Sequence, residues 1–338
     1  MTGVPRVAVY GVGRYGGAVV RLAHGKGWRV VAAYNRAGPK VGQDVGRAAG
    51  MDTDIGVVIQ DCDSADYSAL DAEIAIVATS DRLTHNIEGY ERLLGAGVNV
   101  LTHGTESYFP TAVDPAIASR IQGLAERHDV TFTGSGIWDM SRIWAGILAA
   151  GPCIELTSLH HTSRTNMGRS TAAAVVGIGL SREEYDETIV KKPGRIGELY
   201  KIIPWQVMTA LGYAVIKVVE RREPVLFDHP VHASALERDI APGDPAGTRI
   251  EVEVTTAEGV TACAKIELRV CEEHETKDFM RWSIEGSPDS TVHVDRQVGL
   301  PGSAASLINR VHDVIAAPPG IQEVHRLGPP RHSALVRR

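Results

Sequence analysis

The stretch VAVYGVGRYGGAVV, residues 7–20, constrains the fold of this chain more than any other. An apolar run stops at Gly11, passes Gly13 and Gly16, and continues at once as a helical pattern. In a G-x-G-x-x-G turn between strand and helix each glycine has its own task. The first permits the tight turn, the second lets a pyrophosphate approach the backbone, and the third lets helix and strand pack closely. The helix N-terminus then turns its partial positive charge toward the phosphates. Gly11, Val12, Gly13, Arg14, Tyr15 and Gly16 are therefore the expected dinucleotide loop.

The pattern that follows agrees with this start. Up to about residue 135, short apolar strands (RVAVY, VVAAY, GVVIQ, AEIAIVAT, VNVLTH, DVTFTG) alternate with helical stretches. Strands that read as continuous apolar runs are buried on both faces, which points to a parallel sheet with helical crossovers. The expected class is α/β, with a Rossmann doubly wound domain over 1–135. From about 136 the strands are longer and alternate, as in TRIEVEVTTAEG and VTACAKIELRVCEE, with a hairpin turn at Gly259. Residues 136–300 are expected to form an α+β domain on a mixed or antiparallel sheet. GSAASLINRVHDVIAAPPG then reads as one helix, with Leu307, Ile308, Val311 and Ile315 on its apolar side, stopped by Pro318-Pro319. The segment 301–338 is expected to pack that helix back on the first domain and to end in a solvated tail, RHSALVRR.

Composition excludes several partners. The chain has 338 residues and a formal net charge of −6, so it offers no basic surface for nucleic acid or an anionic membrane. No apolar run approaches the roughly 20 residues that span a bilayer. With a first strand expected near Arg6, no signal peptide is expected. The four cysteines show no C-x-x-C spacing and read as free thiols. A cytoplasmic location is expected. His160 and His161 are adjacent on a strand, so they point to opposite faces and cannot share one metal; no metal site is expected.

The second strand ends in VVAAYNRAGPK. Asn35 stands where NAD-specific proteins place a carboxylate on the ribose hydroxyls. Asn35 would not repel a 2′-phosphate, Arg36 could pair with one, and Lys40 adds a second cation. NADP is the expected cofactor, with NAD still accommodated by Asn35. Thr79 and Ser80, after the fourth strand, fall where the open sheet edge meets the nicotinamide half. His103 and Gly104 follow the fifth strand, also at its ligand-facing end. Glu106 comes next, among Gly104, Tyr108 and Phe109. Partial burial would raise its pKa and suit it to proton handling; equally, it could be a carboxylate answering the dipole of the helix after Pro110. Trp138, Met140 and Trp144 cluster where the domains join, and read either as a substrate pocket or as core packing. His161 and Met167 complete the expected substrate lining. An amino-acid substrate would call for an arginine clamp, for which Arg142, Arg164 and Arg169 are candidates.

Taken together, YNRAGPKVGQDVGRAAG, LTHGTESYFP, GLSREEYDE and INRVHDVIAAPPGIQEV resemble the 2,4-diaminopentanoate dehydrogenases and the related native amine dehydrogenases, within the dihydrodipicolinate reductase-like superfamily. The resemblance runs in order through most of the chain. It implies an NAD(P)-binding Rossmann domain, a second domain that supplies the pocket and a homodimer interface, and reversible reductive amination of a ketone or aldehyde with ammonia. It also implies that Glu106 matches the family's catalytic carboxylate. Two departures stand out. Gly104-Thr105 replace a frequent Cys-Glu, leaving one carboxylate where the family often has two. HHTSRTNMGRST occupies the place of the Lys-x-Asp-Ala-Pro-Ser-Gly segment of dihydrodipicolinate reductase, with Arg164 for its lysine, which argues against that reaction. The alternatives are an amino-acid enzyme of the diaminopentanoate type, an imine reductase that needs no free ammonia, and a cofactor-binding regulator without turnover.

Overall fold

The computed structural model describes residues 3–170, 172–192, 196–297 and 299–333. The last five residues of the expected tail lie outside them. The chain divides into two compact units: residues up to Met140 together with those after Gln297, and Ser141–Gln297. The divisions thus fall at 140/141 and 297/298, beside the expected 135/136 and 300/301.

The first unit is built on seven parallel strands: β1 (Arg6–Tyr10), β2 (Arg29–Asn35), β3 (Ile59–Asp61), β4 (Ile74–Val77), β5 (Asn99–Thr102), β6 (Thr131–Gly134) and, returning from the far end of the chain, β15 (Gly320–Ile321). Their order is β15-β6-β5-β4-β1-β2-β3, so the winding direction reverses between β1 and β4. Ligands of open α/β sheets bind at such a switch point. The continuous apolar strands have their physical reason in two flanking cores. Val7 and Val9 face one core with the helices Arg14–Gly25, Gly299–Ile308 and Val311–Ile315; Ala8 and Tyr10 face the other with Leu83–Gly95 and Pro115–Arg127.

The C-terminal segment is two helices rather than the single one expected. It breaks at Asn309-Arg310, where the Arg310 side chain turns fully inward to Asp139 (Nε to Oδ2, 2.6 Å) and to the carbonyl of Gly328 (2.8 Å). An arginine at this position cannot serve both a continuous apolar stripe and a buried partner.

The second unit holds a six-stranded mixed sheet in the order β14-β13-β7-β12-β11-β8. Its strands are β7 (Glu155–Asn166), β8 (Val215–Pro224), β11 (Gly247–Thr256), β12 (Thr261–Arg269), β13 (Asp278–Ser287) and β14 (Ser290–Arg296). The short pair β9 (Val231–Ala233) and β10 (Arg238–Ile240) lies apart. Only β7 and β12 run parallel; every other neighbour in the large sheet is antiparallel. Gly259 turns the β11–β12 hairpin at φ +86°, a left-handed conformation that favours glycine. No helix among the described residues is long and apolar enough to cross a membrane.

Loop 271–277 is fastened to this sheet by charge. Glu275 accepts from Arg164 (2.5 Å), from two nitrogens of Arg269 (2.7 and 2.8 Å) and from the Glu272 N–H (2.9 Å). Burial alone would raise the Glu275 pKa; the hydrogen bonds and the two guanidinium charges outweigh it and bring it from 4.5 to about 2. A depressed carboxylate stabilises the fold fully above its unfolded value and loses that contribution as the pH falls through its folded one. Urea unfolding of the wild type and Glu275→Gln should therefore differ most near neutral pH, the gap closing between about 4.5 and 2. A gap independent of pH would contradict this.

Candidate functional site

The glycine-rich loop has the shape that a dinucleotide needs. Gly11 sits at φ +96°, and a Cβ there would lie 2.7 Å from the Ala78 carbonyl. A Cβ on Gly16 would come within 1.9 Å of the Gly11 carbonyl, so helix and turn meet at backbone distance. At Gly13 a Cβ would meet nothing within 4 Å. The open side of the turn is therefore the side on which a pyrophosphate is expected. The helix Arg14–Gly25 has no side-chain cap and no acid in its first turn, so no residue of its own competes for the positive end. Arg14 is exposed and Tyr15 half-buried.

Two of the expected ribose and phosphate contacts are turned to the loop itself. Asn35 Oδ1 accepts the Val12 N–H at 2.6 Å, and Lys40 Nζ donates to the Val12 carbonyl at 2.6 Å. With Oδ1 engaged, Asn35 has its Nδ2 donors left for a ligand. Arg36 is exposed.

Beside the switch point, β4 and β5 end in two loops stapled together. Thr105 donates through N–H and Oγ1 to Asp81 Oδ1 (3.1 and 2.6 Å), and the Glu106 N–H donates to the Asp81 carbonyl (3.0 Å). Thr79 Oγ1 donates to Asn86 Oδ1 (2.6 Å), while Asn86 Nδ2 donates to the Ser80 carbonyl (2.7 Å) and to the Tyr90 hydroxyl (3.0 Å). That hydroxyl also hydrogen-bonds Thr102 and Ser107, both at 3.0 Å. Ser80 Oγ pairs with His85 Nδ1 at 3.1 Å. Asn86, Tyr90, Thr102 and Ser107 were not legible as site residues, because a polar cluster formed across three elements leaves no local pattern. Gly104 belongs to the same close approach: a Cβ there would stand 2.7 Å from the Ser80 carbonyl. This explains the first departure from the resembled motif, where any larger residue would push the loops apart.

Glu106 lies in the short turn Thr105–Tyr108, immediately after β5, and is 9% exposed. Arg82 Nη1 donates to its Oε1 at 2.6 Å, and the Leu83 N–H donates to its Oε2 at 2.8 Å. Leu83 opens the helix Leu83–Gly95, so this carboxylate does meet a helix N-terminus, but not that of the helix after Pro110. Its surroundings combine buried Tyr108 and Phe109 with a guanidinium. The Tyr15 ring packs against His103 with centroids 4.2 Å apart. His103 Nδ1 is buried with no hydrogen-bond partner, and burial lowers the pKa of that ring. Burial likewise pushes Tyr15 up to about 12.

The expected substrate residues are divided between the units. Trp138 is half-buried with its ring 5.7 Å from Tyr108, and Met140 is 44% exposed. In the second unit Trp144 and Met167 are half-buried. His161 is buried on β7: its Nε2 accepts from Arg142 Nη1 at 3.1 Å, and its ring lies 4.8 Å from Trp282. Burial and the Arg142 charge hold it well below the usual histidine range. Of the arginine candidates, Arg142 is buried beside His161, Arg164 is engaged by Glu275, and Arg169 is exposed.

The comparisons with known proteins bear on the whole chain. Residues 147–336 match the model of the 2,4-diaminopentanoate dehydrogenase C-terminal domain. The structure is similar to that of an amine dehydrogenase from Mycobacterium smegmatis, with 27% identity, 98% of each chain covered and a TM-score of 0.82. It shares its fold with a putative myo-inositol dehydrogenase from Sinorhizobium meliloti (16% identity, 92% of this chain and 88% of that one, TM-score 0.58). It also shares it with an oxidoreductase from Agrobacterium radiobacter in complex with NAD+, L-tartaric acid and magnesium (12%, 96% and 93%, TM-score 0.56). A comparison with proteins of curated function finds none that matches. The chain belongs to the 2,4-diaminopentanoate dehydrogenase family, whose C-terminal domain makes up more than half of its length.

Proposed function

We propose that the chain is a nicotinamide-dependent amine dehydrogenase that converts a ketone or aldehyde and ammonia reversibly to a primary amine. The observation that carries this reading is one anchored carboxylate, Glu106, at the ligand-facing end of a sheet whose glycine turn leaves an open cradle. Similarity over nearly its full length to an amine dehydrogenase supports it.

Gly11–Gly16 would hold the pyrophosphate, Asn35 and Arg36 the adenosine ribose, and Thr79, Ser80, His103 and Gly104 the nicotinamide end. The unpartnered His103 Nδ1 fits a polar group of such a ligand. When bound, a nicotinamide supplies the hydride chemistry. The protein supplies proton transfer and orientation. Glu106 would take a proton from the ammonium ion, freeing the nitrogen lone pair to attack the carbonyl, and would return a proton to the hydroxyl that leaves as water. One carboxylate serves both directions, as microscopic reversibility requires. Arg82 and the Leu83 N–H would hold it in one orientation between the two transfers.

For the cofactor, the absence of a carboxylate at position 35 supports NADP over NAD. With Lys40 directed at the Val12 carbonyl, selectivity rests on Arg36. Arg36→Ala should weaken NADPH about tenfold, a charge-assisted hydrogen bond's worth, and leave NADH unchanged in fluorescence titrations. Equal weakening of both would place Arg36 elsewhere.

The substrate is proposed to be an uncharged aliphatic or cyclic carbonyl compound, in keeping with Trp138, Met140 and Trp144. The test is a panel of simple ketones, aldehydes and 2-amino-4-keto acids with NADPH or NADH, run with and without ammonium. Consumption that requires ammonium supports the proposal. Reduction of cyclic imines that continues without ammonium would replace it with an imine reductase, and cofactor binding without turnover would leave a regulator.

A further inference from the structure

The outer edge of the parallel sheet carries a cavity of about 430 Å³ between the helix Pro115–Arg127 and the segment that follows β15. It lies beside the C-terminal end of an edge strand, four places along the sheet from β1 and its glycine loop. Glu323 lines it and is 8% exposed. Thr111 Oγ1 donates to Glu323 Oε1 at 3.0 Å. His325 Nδ1 stands 3.5 Å from Oε2, but it makes no hydrogen bond. Burial, reinforced by the Arg326 charge, keeps that imidazole toward its neutral form. Among the described residues no lysine or arginine comes within ion-pair distance of the carboxylate.

A buried carboxylate served by one hydroxyl is under-satisfied, since buried charges are ordinarily paired. Burial accordingly pushes Glu323 upward, with Thr111 and Arg326 opposing only in part. What would complete it is a cation brought from outside, carrying several N–H donors. Arg326 lines the same cavity and is exposed, its guanidinium with no hydrogen bond or ion pair to any described side chain. The rest of the lining combines apolar Pro115, Ala118 and Ile321 with polar Ser119 and Gln122. An ammonium group, a carboxylate and a short apolar group are the parts of an α-amino acid.

We propose that this cavity binds a free α-amino acid, its ammonium on Glu323 and its carboxylate on Arg326. The site is separate from the dinucleotide cradle and independent of the proposed reaction. Isothermal titration of the full chain with glycine, L-alanine, L-valine, L-leucine and L-glutamate tests it, with isobutylamine and isobutyrate as single-charge controls. Saturable binding of at least one amino acid is expected, with both controls markedly weaker. Glu323→Gln and Arg326→Gln should each weaken it by about tenfold or more, as loss of a charged hydrogen-bond partner does, and leave NADH and NADPH titrations unchanged. Arg326 is exposed, so its variant keeps the fold even if Glu323→Gln does not. No binding across the panel, binding unchanged in Arg326→Gln, or isobutylamine binding as tightly as L-valine would each overturn the proposal.

Discussion

Replacing Glu106 by glutamine is expected to lower ammonium-dependent turnover by about 10²- to 10⁴-fold, the contribution typical of a positioned acid–base group. Cofactor affinity, measured by fluorescence, should be nearly unchanged. The substitution keeps the length and hydrogen-bonding shape of the side chain. Its amide oxygen can still accept from Leu83, but it carries no charge for Arg82 and cannot take up a proton near neutral pH. Part of any loss could come from Arg82 swinging away. Glu106→Asp separates the two effects, because it keeps charge and basicity but shortens the reach. Intermediate activity in Glu106→Asp together with near-complete loss in Glu106→Gln indicates proton transfer. Equal loss in both indicates that the anchoring to Arg82 is what matters. Unchanged turnover in Glu106→Gln removes the residue from the chemistry.

The largest effect on stability is expected at Asp139. Its side chain is 1% exposed and that of its partner Arg310 is 0%. Oδ2 accepts from Arg310 Nε (2.6 Å) and Ser135 Oγ (2.8 Å), and Oδ1 from the Gly136 N–H (3.1 Å). Burial raises the Asp139 pKa even against the Arg310 charge and the hydrogen bonds that lower it. Breaking a buried pair costs about 3–5 kcal/mol when it strands the other charge; Asp313 Oδ2, 3.2 Å from Arg310 Nη1, still faces the guanidinium, so the lower end of that range is expected. Asp139→Ala should show a loss of that size in urea unfolding, more than for removal of any exposed ion pair. Replacing both partners by apolar groups of similar volume, Asp139→Leu with Arg310→Met, should recover most of it. A single variant that loses less than about 1 kcal/mol, the range of a surface ion pair, would contradict the assignment.

This pair also shows where the sequence stops being legible. The glycine turn and the strands of the parallel sheet can be read directly, because burial on both faces forces apolar residues at every position and each glycine answers a local steric need. Arg310 and Asp139 are 171 residues apart; no pattern along the chain joins them, so the helix break that Arg310 makes leaves no signal in the sequence. β15 is two residues long and exists as a strand only because β6 offers an unpaired edge. β14 alternates, but both its faces stay partly exposed, so the apolar signal is weak. At the site, the position of Glu106 after a strand end was legible, and its partner Arg82 in another loop was not. Lys40 was readable as a cation near the ribose; that its ammonium would reach back to the Val12 carbonyl depends on the path of the loop between them.

The central claim is that nitrogen from free ammonia enters the product at a carbon that was a carbonyl. Mass spectrometry of the product formed from a ketone, reduced cofactor and nitrogen-15 ammonium tests it most directly. A primary amine one mass unit heavier than that from ordinary ammonium is the expected result. An alcohol, or an amine without the label, would contradict it.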